Sequence, residues 1–463
     1  MKKANGEEVG SNSMDRISDL PEHILQRILY FMSQKEAIRT SLLSKSWGSI
    51  WCTRPNLDLS DNNFKEKKQE FLSTVGENLQ RYSDQKMCLE EFGLTLKNMG
   101  VKDFRLSIYS KSIQRRRRRR VKLPSVVFEA ESLHDLHAEG FSLGRKAIRR
   151  NILSKHLKKL HLEKVKFEDG VFQKIISSCP LIETMILKSC GSIGIYPSKS
   201  LVKIHIEYGD VSFHEGAEFR NLNYLFLNQV MLWPVDNFSS CKFPSLNDLT
   251  FFYCDGLKES HLFIDAPNIN SFVYYGLIVT SFSFSTTSRE WRSTLQMVLR
   301  DDPSLWLLKL HKLLESLSRS EISLTISQYQ INAEDIFKET RDLVQDIKDG
   351  NKPAIVVKKL ILLDGLSYFL PLSNGLFSIC RPRTIGQVNY TNSESVMKKL
   401  MQGEGVNQDE LRQLWLPDLK EVSLEIYDNN RREWDPTSLS DLPDYEEGKR
   451  ISTRFALKWR EIL

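Results

Sequence analysis

No stretch of this 463-residue chain approaches the roughly eighteen consecutive apolar residues that a membrane-spanning helix needs. The nearest, Leu305 to Leu314, is interrupted by Lys309, His311 and Lys312, so no membrane span is expected. The opening MKKANGEEVGSNS has lysines but no hydrophobic stretch behind them. It is neither a secretory signal nor an arginine-rich transit peptide, and residues 1–13 are expected to be a disordered lead-in. Cysteine is sparse: Cys52, Cys88, Cys179, Cys190, Cys241, Cys254 and Cys380 are scattered, and none forms a Cys-x-x-Cys pair. Such a set reads as reduced thiols in the cytosol or nucleus, with the sequons at Asn237 and Asn389 unused. The histidines do not cluster with the cysteines, so no structural zinc is expected. The chain also lacks a P-loop and a G-x-G-x-x-G fingerprint, which removes the common nucleotide sites. Finally, most of the chain lacks a charge excess. The net charge of +6 equals the single run Arg115, Arg116, Arg117, Arg118, Arg119 and Arg120. The balanced remainder argues against a broad nucleic-acid-binding surface.

What is present begins with helical periodicity near the N-terminus. In ISDLPEHILQRILYFM, Ile24, Leu25, Ile28, Leu29 and Met32 recur on one face of a helix. Pro21 suits its first turn and Asp19 is a candidate cap. Ser33-Gln34-Lys35-Glu36 is a capping box for a second helix, with Ala37, Ile38 and Leu42 as its apolar stripe. A third short helix carries Leu43, Trp47, Ile50 and Trp51. Three helices in about forty residues make a core too small to stand well alone. The surplus apolar surface is expected to pack on another part of the chain or on a partner.

Leu20-Pro21, the Ile24-Leu25 and Ile28-Leu29 pairs, Ala37, Leu43-Ser44-Lys45 and Trp47…Trp51 together resemble an F-box of the plant F-box/leucine-rich-repeat family. The resemblance fixes about a dozen positions in order across some forty residues. It implies docking onto a Skp1-like adaptor of a cullin–RING ubiquitin ligase. The contacts it implies are Leu20, Pro21, Ile24, Ile28, Leu29, Leu43 and Trp47, with Trp51 at the junction to the first repeat strands.

Downstream, L-x-x-L-x-L segments recur at openings Leu133, Leu157, Leu181, Leu201, Leu222, Leu246 and Ile269. Their spacing falls in the leucine-rich-repeat window of roughly 20–29 residues. One such strand cannot bury its apolar face alone, whereas parallel neighbours share an elongated core. FEDGVFQKIISSCP (167–180) reads as a helical return, and its SSCPLIE ending is a frequent form in the same plant family. Later units are degenerate: a helix over Leu305–Leu317, then strands at EISLTIS, VKKLILLDGL and LPDLKEVSLEIY. An irregular insertion is expected around 367–412, and Phe455, Leu457 and Trp459 are expected in a terminal strand closing the stack. The extra C-terminal domain that many plant relatives append is not apparent.

The expected architecture is therefore α/β: an F-box at 14–60, a linker helix and irregular first repeats at 61–130, and leucine-rich repeats at 131–285. Degenerate repeats with a C-terminal cap occupy 286–463, the whole array forming a curved solenoid of parallel strands with irregular helical returns. The arginine run is expected in a solvated loop, because six like charges repel and prefer water, and it also suits a nuclear localisation signal. Gly140-Phe141-Ser142-Leu143-Gly144 fits a nucleophile elbow, yet its glycines fall where a repeat turns away from its strand. The family's hormone-receptor members bind an inositol phosphate, but the basic residues here form no pattern that carries this over. The sequence thus points to a non-catalytic, cofactor-free adaptor in the nucleus or cytoplasm, recruiting an unknown protein substrate for ubiquitination. The alternative is a repeat scaffold without ubiquitin chemistry.

Overall fold

The computed structural model describes residues 20–32, 36, 39–40, 42, 47, 50, 103–107, 133–145, 155–257, 260–299, 303–328, 354–363, 369–386, 415–428, 430–438, 440–441 and 452–460. The chain divides into two compact units, one up to Ile182 and one from Glu183.

The first unit opens with helix α1 (Glu22–Tyr30). Pro21 is the residue just before the helix, one position earlier than the sequence suggests. Its carbonyl accepts the N–H groups of Ile24 and Leu25 at 2.9 and 3.2 Å. Proline costs nothing here, since no intrahelical acceptor exists for an N–H at this end. Helical backbone recurs at Glu36, Arg39, Thr40, Trp47 and Ile50. Leu25, Leu29, Trp47 and Ile50 form a buried cluster, against which Ile28 and Met32 pack. Asp19, Ser33 to Lys35, Leu43 and Trp51 lie outside the described residues.

Strands β1 (Asp103–Ser107), β2 (Asp135–Glu139) and β4 (Lys159–Glu163) of this unit pair in parallel. Leu136, Ala138, Leu160 and Leu162 point inward and are buried beneath the openers Leu133 and Leu157. The short β3 (Ser142–Leu143) and β5 (Lys166–Phe167) form a second parallel pair on the return path. Helix α2 (Val171–Ser178) is the return expected from the sequence, burying Val171, Phe172, Ile175 and Ile176.

In the second unit, β6 (Thr184–Ile195), β7 (Lys203–Phe213), β8 (Tyr224–Leu232), β9 (Asp248–Phe252) and β11 (Ser271–Gly276) run parallel in that order. Helix α3 (Val235–Ser239) lies between β8 and β9 in sequence. A separate parallel pair, β10 (His261–Asp265) and β12 (Ser281–Ser285), is formed by the returns. The main sheet continues through β13 (Arg292–Leu299), β14 (Glu321–Gln328), β15 (Ile355–Leu362) and β16 (Cys380–Gly386). Helices α4 (Pro303–Ser316) and α5 (Phe369–Ile379) are the returns before β14 and β16. Phe213, Phe219, Phe238, Phe243 and Phe251 make edge and stacked contacts at 4.8–6.4 Å behind the strands. Phe251 continues the series to Phe272 and Phe282.

The openers Leu201, Leu222, Leu246 and Ile269 are buried as expected. At the third repeat the register is corrected by one residue: Ile182 is 1% exposed, whereas Leu181 is 41% exposed. Strand β13 escapes the repeat pattern, because its inward position opposite Phe272 is Ser293. This buried serine exchanges a 2.7 Å hydrogen bond with Ser320, so a polar pair replaces the apolar signature. The stretch expected to be an irregular insertion instead begins with α5 and the paired strand β16, and residues 387–414 lie outside the described set. The last strand, β19 (Thr453–Trp459), runs antiparallel between β16 and β17 (Leu419–Asp428), and β18 (Glu433–Thr437) pairs antiparallel with β17. Trp459 fixes this end by donating from its indole to the Pro382 carbonyl at 2.8 Å, with the Arg381 guanidinium 4.9 Å from its ring centre. Among the described residues no helix is long and apolar enough to cross a membrane.

Candidate functional site

Helix α1 divides its apolar residues between two tasks. Leu25 and Leu29 recur four apart, so both face the cluster with Trp47 and Ile50. Leu20 and Ile24 are each 37% exposed, Pro21 is exposed, and Ile28 is half-buried. Of the contact residues suggested by the sequence, Leu20, Pro21 and Ile24 are therefore exposed. Leu29 and Trp47 are 0% and 4% exposed and belong to the module's own core. Leu43 lies outside the described residues. Phe31 and Leu42 are exposed apolar side chains that sequence reasoning does not single out as contacts. Phe31 follows the last turn of α1, and Leu42 fits a buried stripe by spacing alone; only exposure distinguishes them.

The repeat strands of the second unit present a different surface. Alternation places Ile186, His205, Phe226, Thr250, Val273 and Thr294 in one outward row, each in register with the next. His205 stacks on Phe226 with ring centres 4.4 Å apart. In the adjoining row Phe252 and Tyr275 meet at 4.5 Å. The charges beside them are matched locally: Lys188 lies 2.9 Å from Glu207, and the Lys203 ammonium sits 4.5 Å above the Tyr224 ring. Burial pushes the Glu207 carboxyl up, but hydrogen bonds from His205 and Lys188 outweigh it and hold the group below its ordinary range. A half-buried surface of aromatic and neutral side chains with paired charges suits protein side chains better than a polyanion, which needs unmatched cations.

The rival chemistries find little support in the geometry. Ser142 sits inside strand β3, where a nucleophile elbow would need it on a turn between strand and helix. Gly140 has φ 82° and makes the turn out of β2, as the repeat reading expects. The five described cysteines are buried thiols. Burial pushes Cys179, Cys254 and Cys380 up to about 12 and Cys241 up to about 11, the opposite of what a nucleophilic thiolate requires. The run Arg115 to Arg120 lies outside the described residues. Among the described residues one group, His137, His161 and Glu163, brings three metal-ligating atoms within 4.8 Å of one another.

Comparison with known proteins agrees with both regions. The F-box domain profile matches residues 17–59. A second profile, described as FBD-associated F-box protein At5g56370, LRR repeats, matches residues 94–252. The chain is an F-box protein with leucine-rich repeats. Among its Arabidopsis thaliana relatives, F-box/FBD/LRR-repeat protein At1g78750 is 29% identical over 198 residues, covering 38% of this chain and 42% of the relative. F-box/LRR-repeat protein At2g42720 is 29% identical over 227 residues, covering 42% and 49%. F-box/FBD/LRR-repeat protein At4g00160 is 25% identical over 338 residues, covering 64% and 72%. The chain is thus similar to the plant F-box/LRR-repeat proteins in both regions, and it spans less than half the length of the first two relatives. No solved structure matches it.

Proposed function

We propose that this chain is a non-catalytic substrate adaptor of an SCF-type ubiquitin ligase. Its F-box docks onto a Skp1-like adaptor, and its repeats hold a target protein. The observation that carries the reading is the F-box match together with the exposed Leu20, Pro21 and Ile24 beside a closed core of Leu25, Leu29, Trp47 and Ile50. A small module that keeps apolar side chains in water has surface to give to a partner helix. The outward row from Ile186 to Thr294 supplies a neutral, aromatic-centred surface for a protein target. The gain in ubiquitin transfer comes from proximity, since the chain holds the target near an E2-borne ubiquitin without performing chemistry.

The test is co-purification of the full chain with a coexpressed Skp1-like adaptor. The unaltered chain is expected to retain it, and Leu20→Asp or Ile24→Asp to lose it while the repeat fold persists by circular dichroism. If the unaltered chain fails to retain the adaptor, the protein is a repeat scaffold without ubiquitin chemistry.

A further inference from the structure

Strands β2 and β4 carry the same short pattern, His137-Ala138-Glu139 and His161-Leu162-Glu163. Parallel pairing sets the two copies in register, His137 against His161 and Glu139 against Glu163. Because side chains two apart share a face, all four project to the side opposite the buried Ala138 and Leu162. The imidazoles lie nearly parallel, with centres 3.9 Å apart and planes 7° apart. Above them the Lys164 ammonium bridges Glu139 and Glu163, at 2.9 Å from each carboxylate. The sequence thus places two imidazoles and two carboxylates on adjacent strands, with a cation already held at the carboxylate end.

We propose that His137, His161 and Glu163 form a binding site for a divalent transition metal of the zinc class. Mixed imidazole and carboxylate donors favour zinc, nickel or copper over calcium and magnesium, which prefer all-oxygen shells. The ligating atoms lie within 4.8 Å of one another. Tetrahedral zinc with bonds near 2.0–2.2 Å places its donors about 3.4 Å apart. Rotating the two stacked rings about their χ2 bonds turns their nitrogen edges toward one point, and the Glu163 carboxylate closes the third corner. The metal displaces Lys164 from Glu163 and leaves the ammonium on Glu139. A fourth position remains for water or for a side chain of a bound protein. The site pins two neighbouring repeat strands and is independent of the adaptor reading.

Zinc titrated into the purified full chain by calorimetry tests this. One equivalent is expected to bind, and His137→Ala or His161→Ala is expected to weaken it at least about tenfold, since loss even of an outer-shell partner costs that much. His161→Gln serves the same purpose should the alanine variant misfold, with circular dichroism checking both. Lys164→Ala is expected to tighten binding by removing the competing ammonium. Cobalt in place of zinc should give the visible absorption of a tetrahedral centre, abolished in the histidine variants. The site is overturned if the unaltered chain takes up no zinc, or if folded histidine variants bind it equally well. Unchanged or weaker binding by Lys164→Ala removes Glu163 from the site.

Discussion

The F-box and the repeat array solve the burial problem in opposite ways. The F-box closes a core on Leu25, Leu29, Trp47 and Ile50, and leaves Leu20, Ile24, Phe31 and Leu42 exposed. The repeats of the second unit bury nearly every inward position, because each strand's apolar face is completed by its neighbours. Their outward face is neutral and aromatic, with its charges paired in place. A small module therefore leaves some of its hydrophobic residues at the surface. A stacked array can keep its hydrophobic residues inside and offer a patterned surface instead. The difference follows from size and periodicity before any partner is considered.

The largest expected effect breaks the repeat side of this comparison. Phe213 is fully buried among Phe219, Phe238 and Phe243. Phe213→Ala should cost about 3–5 kcal/mol, the usual cost of truncating a packed core aromatic. Thermal unfolding followed by the strand signal should shift down accordingly. Adaptor retention through the F-box should survive at temperatures below the new transition.

Much of this is legible in the sequence, and the gaps have physical causes. The L-x-x-L-x-L spacing locates β2, β4, β7, β8, β9 and β11 because an apolar residue at a fixed period is what stacking demands. It misplaces one opener at Leu181, where only the frame from Ile182 carries apolar residues at all three positions: Ile182, Met185 and Leu187 are buried, whereas the frame from Leu181 meets Thr184. It misses β13 because Ser293 stands where the pattern asks for an apolar residue, its buried hydroxyl satisfied by Ser320. The antiparallel end at β17 to β19 reads in sequence as simple continuation, since alternation looks the same in either strand direction. In the F-box, the periodicity finds the apolar face of α1 but cannot divide it. Leu29 and Trp47 against Leu20 and Ile24 is a distinction of packing, invisible until the other helices are placed.

A smaller effect per group separates the regions by pH. Burial pushes Cys179, Cys254 and Cys380 up to about 12 and Cys241 up to about 11. It also pushes Tyr274 up to about 12, partly offset by its hydrogen bond with Thr280. An unfolded chain releases thiol protons near 8.5 and the tyrosine proton near 10, so above those values it binds fewer protons than the folded chain. Stability is full below about pH 8.5 and falls as pH rises toward 12. Denaturant unfolding at a series of alkaline pH values should show a midpoint that falls across this window. Cys254→Ala should lessen the fall, and a midpoint independent of pH would contradict the buried protonated thiols.

The smallest effect on stability sharpens the other side. Ile24→Ala removes a side chain that is more than a third exposed and lies outside the buried F-box cluster. Its cost to folding should stay within about 0.5 kcal/mol. Leu29→Ala empties a fully buried position in the same helix and should cost the module about 2–5 kcal/mol. Both variants should lose adaptor affinity, for different reasons. Ile24→Ala weakens binding by more than about 1 kcal/mol if it is an anchor of the interface, with the fold untouched. Leu29→Ala acts through the fold, so its binding should recover on cooling or with a stabilising osmolyte, whereas that of Ile24→Ala should not. Equal recovery in both would mean that the exposed and buried residues of α1 do not divide the work between partner and core.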